Sequence, residues 1–72
     1  MTPTLREVKR RHEGSLLALP GVVSVGIGLD ERGREAIVVG LDRPRPELAP
    51  RLPADLEGFP VRIEVIGPVR GW

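Results

Sequence analysis

The stretch Leu19-Pro20-Gly21-Val22-Val23-Ser24-Val25-Gly26-Ile27-Gly28-Leu29 ends one kind of pattern and begins another. Proline followed by glycine stops a helix and turns the chain. After the turn, Val23, Val25, Ile27 and Leu29 fall on one side of a pleat, and Ser24, Gly26 and Gly28 fall on the other. The segment reads as a core strand with one greasy face and a nearly bare back. The rest of the chain must supply a cover for that greasy face.

Upstream, Thr4-Leu5-Arg6-Glu7 has the form of a capping box, with the Thr4 hydroxyl accepting from the Glu7 N–H and the Glu7 carboxylate reaching back to Thr4. Leu5, Val8, His12, Ser15 or Leu16, and Leu19 then recur at spacings of three and four. That predicts a helix with this stripe inward and Arg6, Lys9, Arg10 and Glu13 in water. Gly14 interrupts the stripe at about 1 kcal/mol relative to alanine, and marks a kink or a close contact.

Downstream, Asp30-Glu31-Arg32-Gly33 suits a type I turn, and Glu35 to Leu41 follows as the second arm of a hairpin. Ile37, Val39 and Leu41 share the core face with the first strand, leaving Ala36, Val38 and Gly40 on the back. Five prolines from Asp42 through Pro60 leave room only for short helical turns, at Pro46 to Leu52 and at Ala54 to Glu57. Val61 to Ile66 alternates as a third strand, with Val61, Ile63 and Val65 inward, before Gly67-Pro68 breaks it. The expected fold is α+β in the order αββαβ, with the helices on one face of a three-stranded mixed sheet. A right-handed crossover makes the second and third strands parallel and allows the first to sit between them.

With 72 residues, the sequence is read as one domain over 1–72, a size at which a single core supplies only roughly 3–5 kcal/mol unaided. It contains no cysteine and one histidine, so neither disulfides nor a protein-only zinc site can be assembled, and no cofactor or metal is expected. Oligomerisation is the remaining means of stabilisation. An apolar share of 40% against a charged share of 29% fits a folded soluble domain better than a disordered chain. No apolar run approaches the roughly 18 residues of a membrane span, and no signal-peptide core opens the sequence, so a cytoplasmic location is expected. Arginine in place of lysine, with Asn and Gln absent, is a composition shared by heat-adapted proteins and by products of GC-rich genomes.

Candidate chemistry is sparse. Gly26-Ile27-Gly28 lacks the third glycine and the following helix of a dinucleotide loop, since position 31 is Glu31 and a hairpin follows. His12 has no nucleophile or second polar partner near it in sequence, and reads as a helix histidine with a wet ring edge. Asp30 with Glu31, and Asp55 with Glu57, lie in turns where acidic residues serve capping and solubility. Arg6, Lys9, Arg10 and Arg11 form a basic helix face that offers salt-sensitive phosphate contacts. Pairing of Glu7 with Arg10 or Arg11, and of Lys9 with Glu13, would compensate that charge, and only Phe59 and Trp72 are aromatic. The stronger candidate is a surface on the back of the sheet. Ser24, Gly26, Gly28, Ala36, Val38, Gly40 and Ile66, flanked by Arg62 and Glu64, make a smooth and sparsely charged patch.

The runs Arg11-His12-Glu13, Leu16 to Gly28, Leu56 to Val65 and Gly67-Pro68 resemble a small uncharacterised bacterial module that precedes trypsin-like serine peptidase domains and also occurs alone. The likeness covers most of the chain, rests on structural glycines and aliphatics, and carries no functional residue across. The helix followed by Leu19 to Val25 is also similar to heavy-metal-associated domains of ferredoxin-like layout. The first strand and the Cys-x-x-Cys loop of that family are missing, so its metal binding is not implied.

These readings together predict a non-catalytic interaction or accessory module that works by self-association or by binding a protein partner. A subunit that contributes to a shared enzyme active site, and weak nucleic-acid binding through the first helix, are the alternatives.

Overall fold

A computed structural model describes residues 3–67; Pro68, part of the expected stop after the last strand, and Trp72 lie outside them. Helix α1, Leu5–Leu17, begins where the capping pattern places it: Thr4 is extended, and its hydroxyl accepts from the Glu7 N–H at 3.2 Å. Leu5, Val8 and Leu16 are the buried residues of its stripe. Leu19 lies beyond the helix, yet still packs against the core from the turn that leads into the sheet. Gly14 faces open space and contacts nothing, so it marks no close packing.

Strands β1, Val22–Leu29, and β2, Glu35–Leu41, form the expected antiparallel hairpin. Its turn is built on Asp30, whose Oδ1 accepts from the Arg32 and Arg34 N–H groups at 2.9 and 2.8 Å. Gly33 adopts the left-handed conformation that closes the turn. A bulge between Val22 and Ser24 changes one expectation, because it puts Val22 into the core and leaves Val23 exposed. From Val25 onward the expected alternation of faces holds, although Ile27 and Leu29 on the inward face stay exposed.

The proline-rich connection contains a 3₁₀ helix, Pro46–Arg51, with Leu48 and Leu52 buried in the same core as α1. The second helical turn expected near Ala54 to Glu57 is absent. In its place the short strand β3, Asp55–Leu56, folds back on β4, Phe59–Val65, through a two-residue turn. Glu57 and Gly58 both have positive φ there, 50° and 92°, the requirement of a tight hairpin whose twist matches its strands.

The sheet is four-stranded, in the order β1-β2-β4-β3. β2 and β4 are parallel, as the crossover requires, but they are direct neighbours, and β1 lies at the edge instead of between them. The physical reason is legible in β2. Its run Ala36-Ile37-Val38-Val39-Gly40-Leu41 is continuously apolar, which suits a strand enclosed on both faces, whereas the alternating glycines of β1 offer less to bury.

Register fixes the two faces. Val25, Val39 and Ile63 make one row toward α1, and Ile27, Ile37 and Val61 make the next. The cover over these rows is incomplete: Ile27 and Leu29 remain 50% and 55% exposed, and Ile63 and Val65 45% and 49%. With 13 residues, α1 is only about 20 Å long. It leads into the start of β1, while Arg11 and His12 midway along it reach Glu57 at the opposite side of the sheet. The helix therefore crosses the strands obliquely and leaves two diagonally opposite corners bare, at the ends of β1 and β4.

Candidate interaction surface

The back of the sheet gathers the residues expected there. Ser24, Gly40 and Glu64 share one row, Gly26, Val38 and Arg62 the next, and Gly28 and Ala36 the third. Its smooth middle, however, is partly closed by the protein itself. Ala36 is fully buried and Gly40 is buried. A Cβ added at Gly40 would collide with Ser24 Oγ and the Ile66 side chain, and one at Gly28 would lie 2.8 Å from Val38 Cγ2. Arg62 Nη1 donates to the Leu29 carbonyl at 3.1 Å, which carries the guanidinium across β2 from β4 to β1. What remains open is Ile66 with Arg62 and Glu64, beside half-buried Ser24, Gly26, Gly28 and Val38.

The front of the sheet holds what sequence reasoning missed. Ile27, Leu29, Ile63 and Val65 belong to the core face by pattern, yet they lie outside the core. The available signal was the helix itself: a stripe this short and interrupted by Gly14 cannot span three strands. An open groove of about 680 Å³ is lined by Asp30, Glu31, Arg32 and Arg34 of the hairpin turn and by Val61, Arg62 and Ile63 of β4, and of the four exposed aliphatics it takes in Ile63.

The charged candidates are drawn into structural contacts. Lys9 Nζ meets Glu13 Oε2 at 2.7 Å. Arg11 Nη1 meets Glu57 Oε1 at 2.7 Å, and His12 Nε2 meets the other oxygen of the same carboxylate at 3.1 Å. Glu57, strained at its positive φ, thus ties the β3–β4 turn to the middle of α1. Arg6 and Arg10 are exposed, and no ion pair holds them among the described residues. Gly26-Ile27-Gly28 runs inside a regular strand, a placement that gives its N–H groups no convergent cradle.

Two carboxylates have their acidity shaped by their surroundings. N–H groups of Arg34 and Arg32, with the Arg34 guanidinium, hold Asp30 below its ordinary value of 3.8; the Arg34 backbone bond is the largest cause. Hydrogen bonds from Arg45 at 2.8 and 2.9 Å hold Asp42 below that value. Both groups are clamps on the hairpin, one at each end of the β1–β2 ladder, since the Asp42 N–H also donates to the Gly21 carbonyl at 3.0 Å.

Among the described residues, no group of three or more His, Cys, Asp or Glu side chains is placed to hold a metal ion, and no helix is long and apolar enough to cross a membrane. Comparison of the chain with family profiles, curated proteins and solved structures finds no match.

Proposed function

We propose that this chain is a non-catalytic interaction module that works by protein contact, through self-association or a protein partner. One observation carries the reading. Leu17, Val23, Ile27, Leu29, Ile63, Val65 and Ile66 are all exposed, seven large aliphatic side chains against ten buried hydrophobic residues. Ile27 with Leu29 and Ile63 with Val65 lie bare on the front of the sheet, and exposed aliphatics paired in this way mark contact surfaces for another protein. A cytoplasmic setting fits the cysteine-free composition.

The test is crosslinking in an extract of the native host together with light scattering of the pure chain, each for wild type and for a Leu29→Lys/Ile63→Lys variant. The wild type is expected to gain mass with itself or with a protein partner, and the variant to lose that gain at an unchanged circular dichroism spectrum. A wild type that stays monomeric and uncrosslinked in both settings overturns the reading.

A further inference from the structure

The two open edges of the sheet differ in protection. On β4 the outer edge is partly occupied, because β3 pairs with its start and the Val61 N–H already donates to the Ala54 carbonyl at 3.0 Å. Glu64 adds charge on β4, a usual guard of a strand edge, whereas the Arg62 guanidinium turns across β2 to the Leu29 carbonyl. Among the described residues no strand pairs with the outer side of β1, and from Val22 to Leu29 it carries no charge and no proline. Its bulge lies at the very start, so Ser24 to Leu29 is a regular edge, with the Arg62 guanidinium on the Leu29 carbonyl at its end.

The direction of its free backbone groups follows from the turn. Asp30 N–H donates to the Arg34 carbonyl at 2.8 Å, so Asp30 faces β2. Alternation along an antiparallel ladder then turns Gly28, Gly26 and Ser24 toward β2 as well, and turns Leu29, Ile27 and Val25 outward. The residues with outward N–H and C=O groups are therefore those whose side chains lie on the incompletely covered front face. This set is its own mirror image about Ile27.

We infer that the occupant of this edge is a second copy of the same chain, joined β1 to β1 in antiparallel fashion about a two-fold axis at Ile27. Ile27 then meets Ile27 of the second copy, Val25 meets its Leu29, and each pair exchanges both N–H···O bonds. On the back, Gly26 meets the second copy's Gly28, so no side chain obstructs the seam. On the front, the bare Ile27 and Leu29 of both copies join into one covered apolar row. The strand itself carries no charge; Arg62 reaches the Leu29 carbonyl from β4, and the Val25 N–H of the second copy takes that carbonyl's second lone pair.

Pairing about Ile27 engages Val25 to Leu29 of each copy, about 17 Å of strand, and the three opposed pairs exchange two N–H···O bonds each. The two copies make one continuous eight-stranded sheet with both α1 helices on the same face.

This inference rests on the interaction-module reading and names its partner. The test exploits the absence of cysteine. In the proposed seam the two Ile27 Cα atoms lie about 5.5 Å apart, within the range that a disulfide bridges. Ile27→Cys is expected to crosslink between chains under mild oxidation at least tenfold faster than Ile63→Cys, on the other edge. Ile27→Lys, which sets two like charges against each other at the axis, is expected to weaken the light-scattering dimer at least tenfold, whereas Ile63→Lys and Val38→Lys leave it unchanged. Leu29→Pro, which removes an N–H that β2 does not use, should act like Ile27→Lys while the thermal unfolding of each monomer stays cooperative. Equal crosslinking rates, or a dimer lost only with Ile63→Lys or Val38→Lys, overturn the β1 seam. A chain that is monomeric at every concentration, yet binds a foreign protein in host extract, overturns this inference and leaves the interaction-module reading intact.

Discussion

Ile27 and Ile37 face each other directly across the β1–β2 ladder, on the same side of the sheet, and their surroundings could hardly differ more. Ile37 is completely buried, whereas Ile27 remains 50% exposed. The residue type, strand pairing and face are identical. What differs is position: β2 has a strand on either side, while β1 has an open edge. Burial in this protein is thus conferred by place in the sheet and only weakly by the hydrophobicity of the side chain.

The comparison can be broken most directly at these two residues. Ile37→Ala removes methyls from a packed site and is expected to cost about 2–5 kcal/mol in urea unfolding. Ile27→Ala, measured where the chain is monomeric, is expected to cost less than about 1 kcal/mol. Equal costs would show that β1 is as enclosed as β2. For the same reason Ile63→Ala should fall well below Ile37→Ala, although both belong to the inward pattern.

The join between the two strands gives a smaller effect. Gly21 has φ +94°, and a Cβ there would collide with the Arg45 side chain that clamps Asp42 at the end of β2. Gly21→Ala is expected to cost about 1–3 kcal/mol from backbone strain alone. Gly14→Ala, at an open helical site, should stabilise by up to about 1 kcal/mol. If both substitutions shift the melting temperature in the same direction, the Arg45 clamp does not hold β1 to β2 as described.

Acid should loosen both ends of the ladder together. Asp30 and Asp42 have folded-state pKa values below the ordinary 3.8, so the unfolded chain binds their protons first as the pH falls. Their contribution to stability is complete above that ordinary value and is lost as the pH drops through the lower folded values. The expected result is a melting temperature that falls below about pH 4 in wild type, and falls less steeply in an Asp30→Asn/Asp42→Asn variant. A parallel decline in both proteins would remove these clamps from the account. The contribution is modest, because both groups lie near solvent where such pairs are weak.

Much of this was legible in the chain itself, for local reasons. The Thr4 cap, the stop at Pro20-Gly21, the Asp30 turn and the alternation from Val25 onward each depend on residues a few positions apart, whose dihedral preferences and hydrogen bonds need no distant partner. The α+β class and the parallel pairing of β2 with β4 follow from those elements and the handedness of a crossover. The candidate surface was legible only as a pattern. Ser24, Gly26, Gly28 and Val38 do share the back of the sheet, but the closure over Ala36 and Gly40 depends on Ser24, Ile66 and the reach of Arg62, which only register can bring together.

The tertiary structure decided the rest. A period-two pattern states which residues share a face but not which strand is central, so the exchange of β1 and β2 in the sheet order was invisible locally. The bulge that trades Val23 for Val22 is a response to pairing with Leu41. β3 exists because Glu57 and Gly58 turn left-handed against α1, where Arg11 and His12 hold the Glu57 carboxylate. The bare corners at Ile27, Leu29, Ile63 and Val65 arise because one short helix packs on β1 and β2 and leaves the rest of the front open. That placement belongs to packing, which spacing along the chain does not specify.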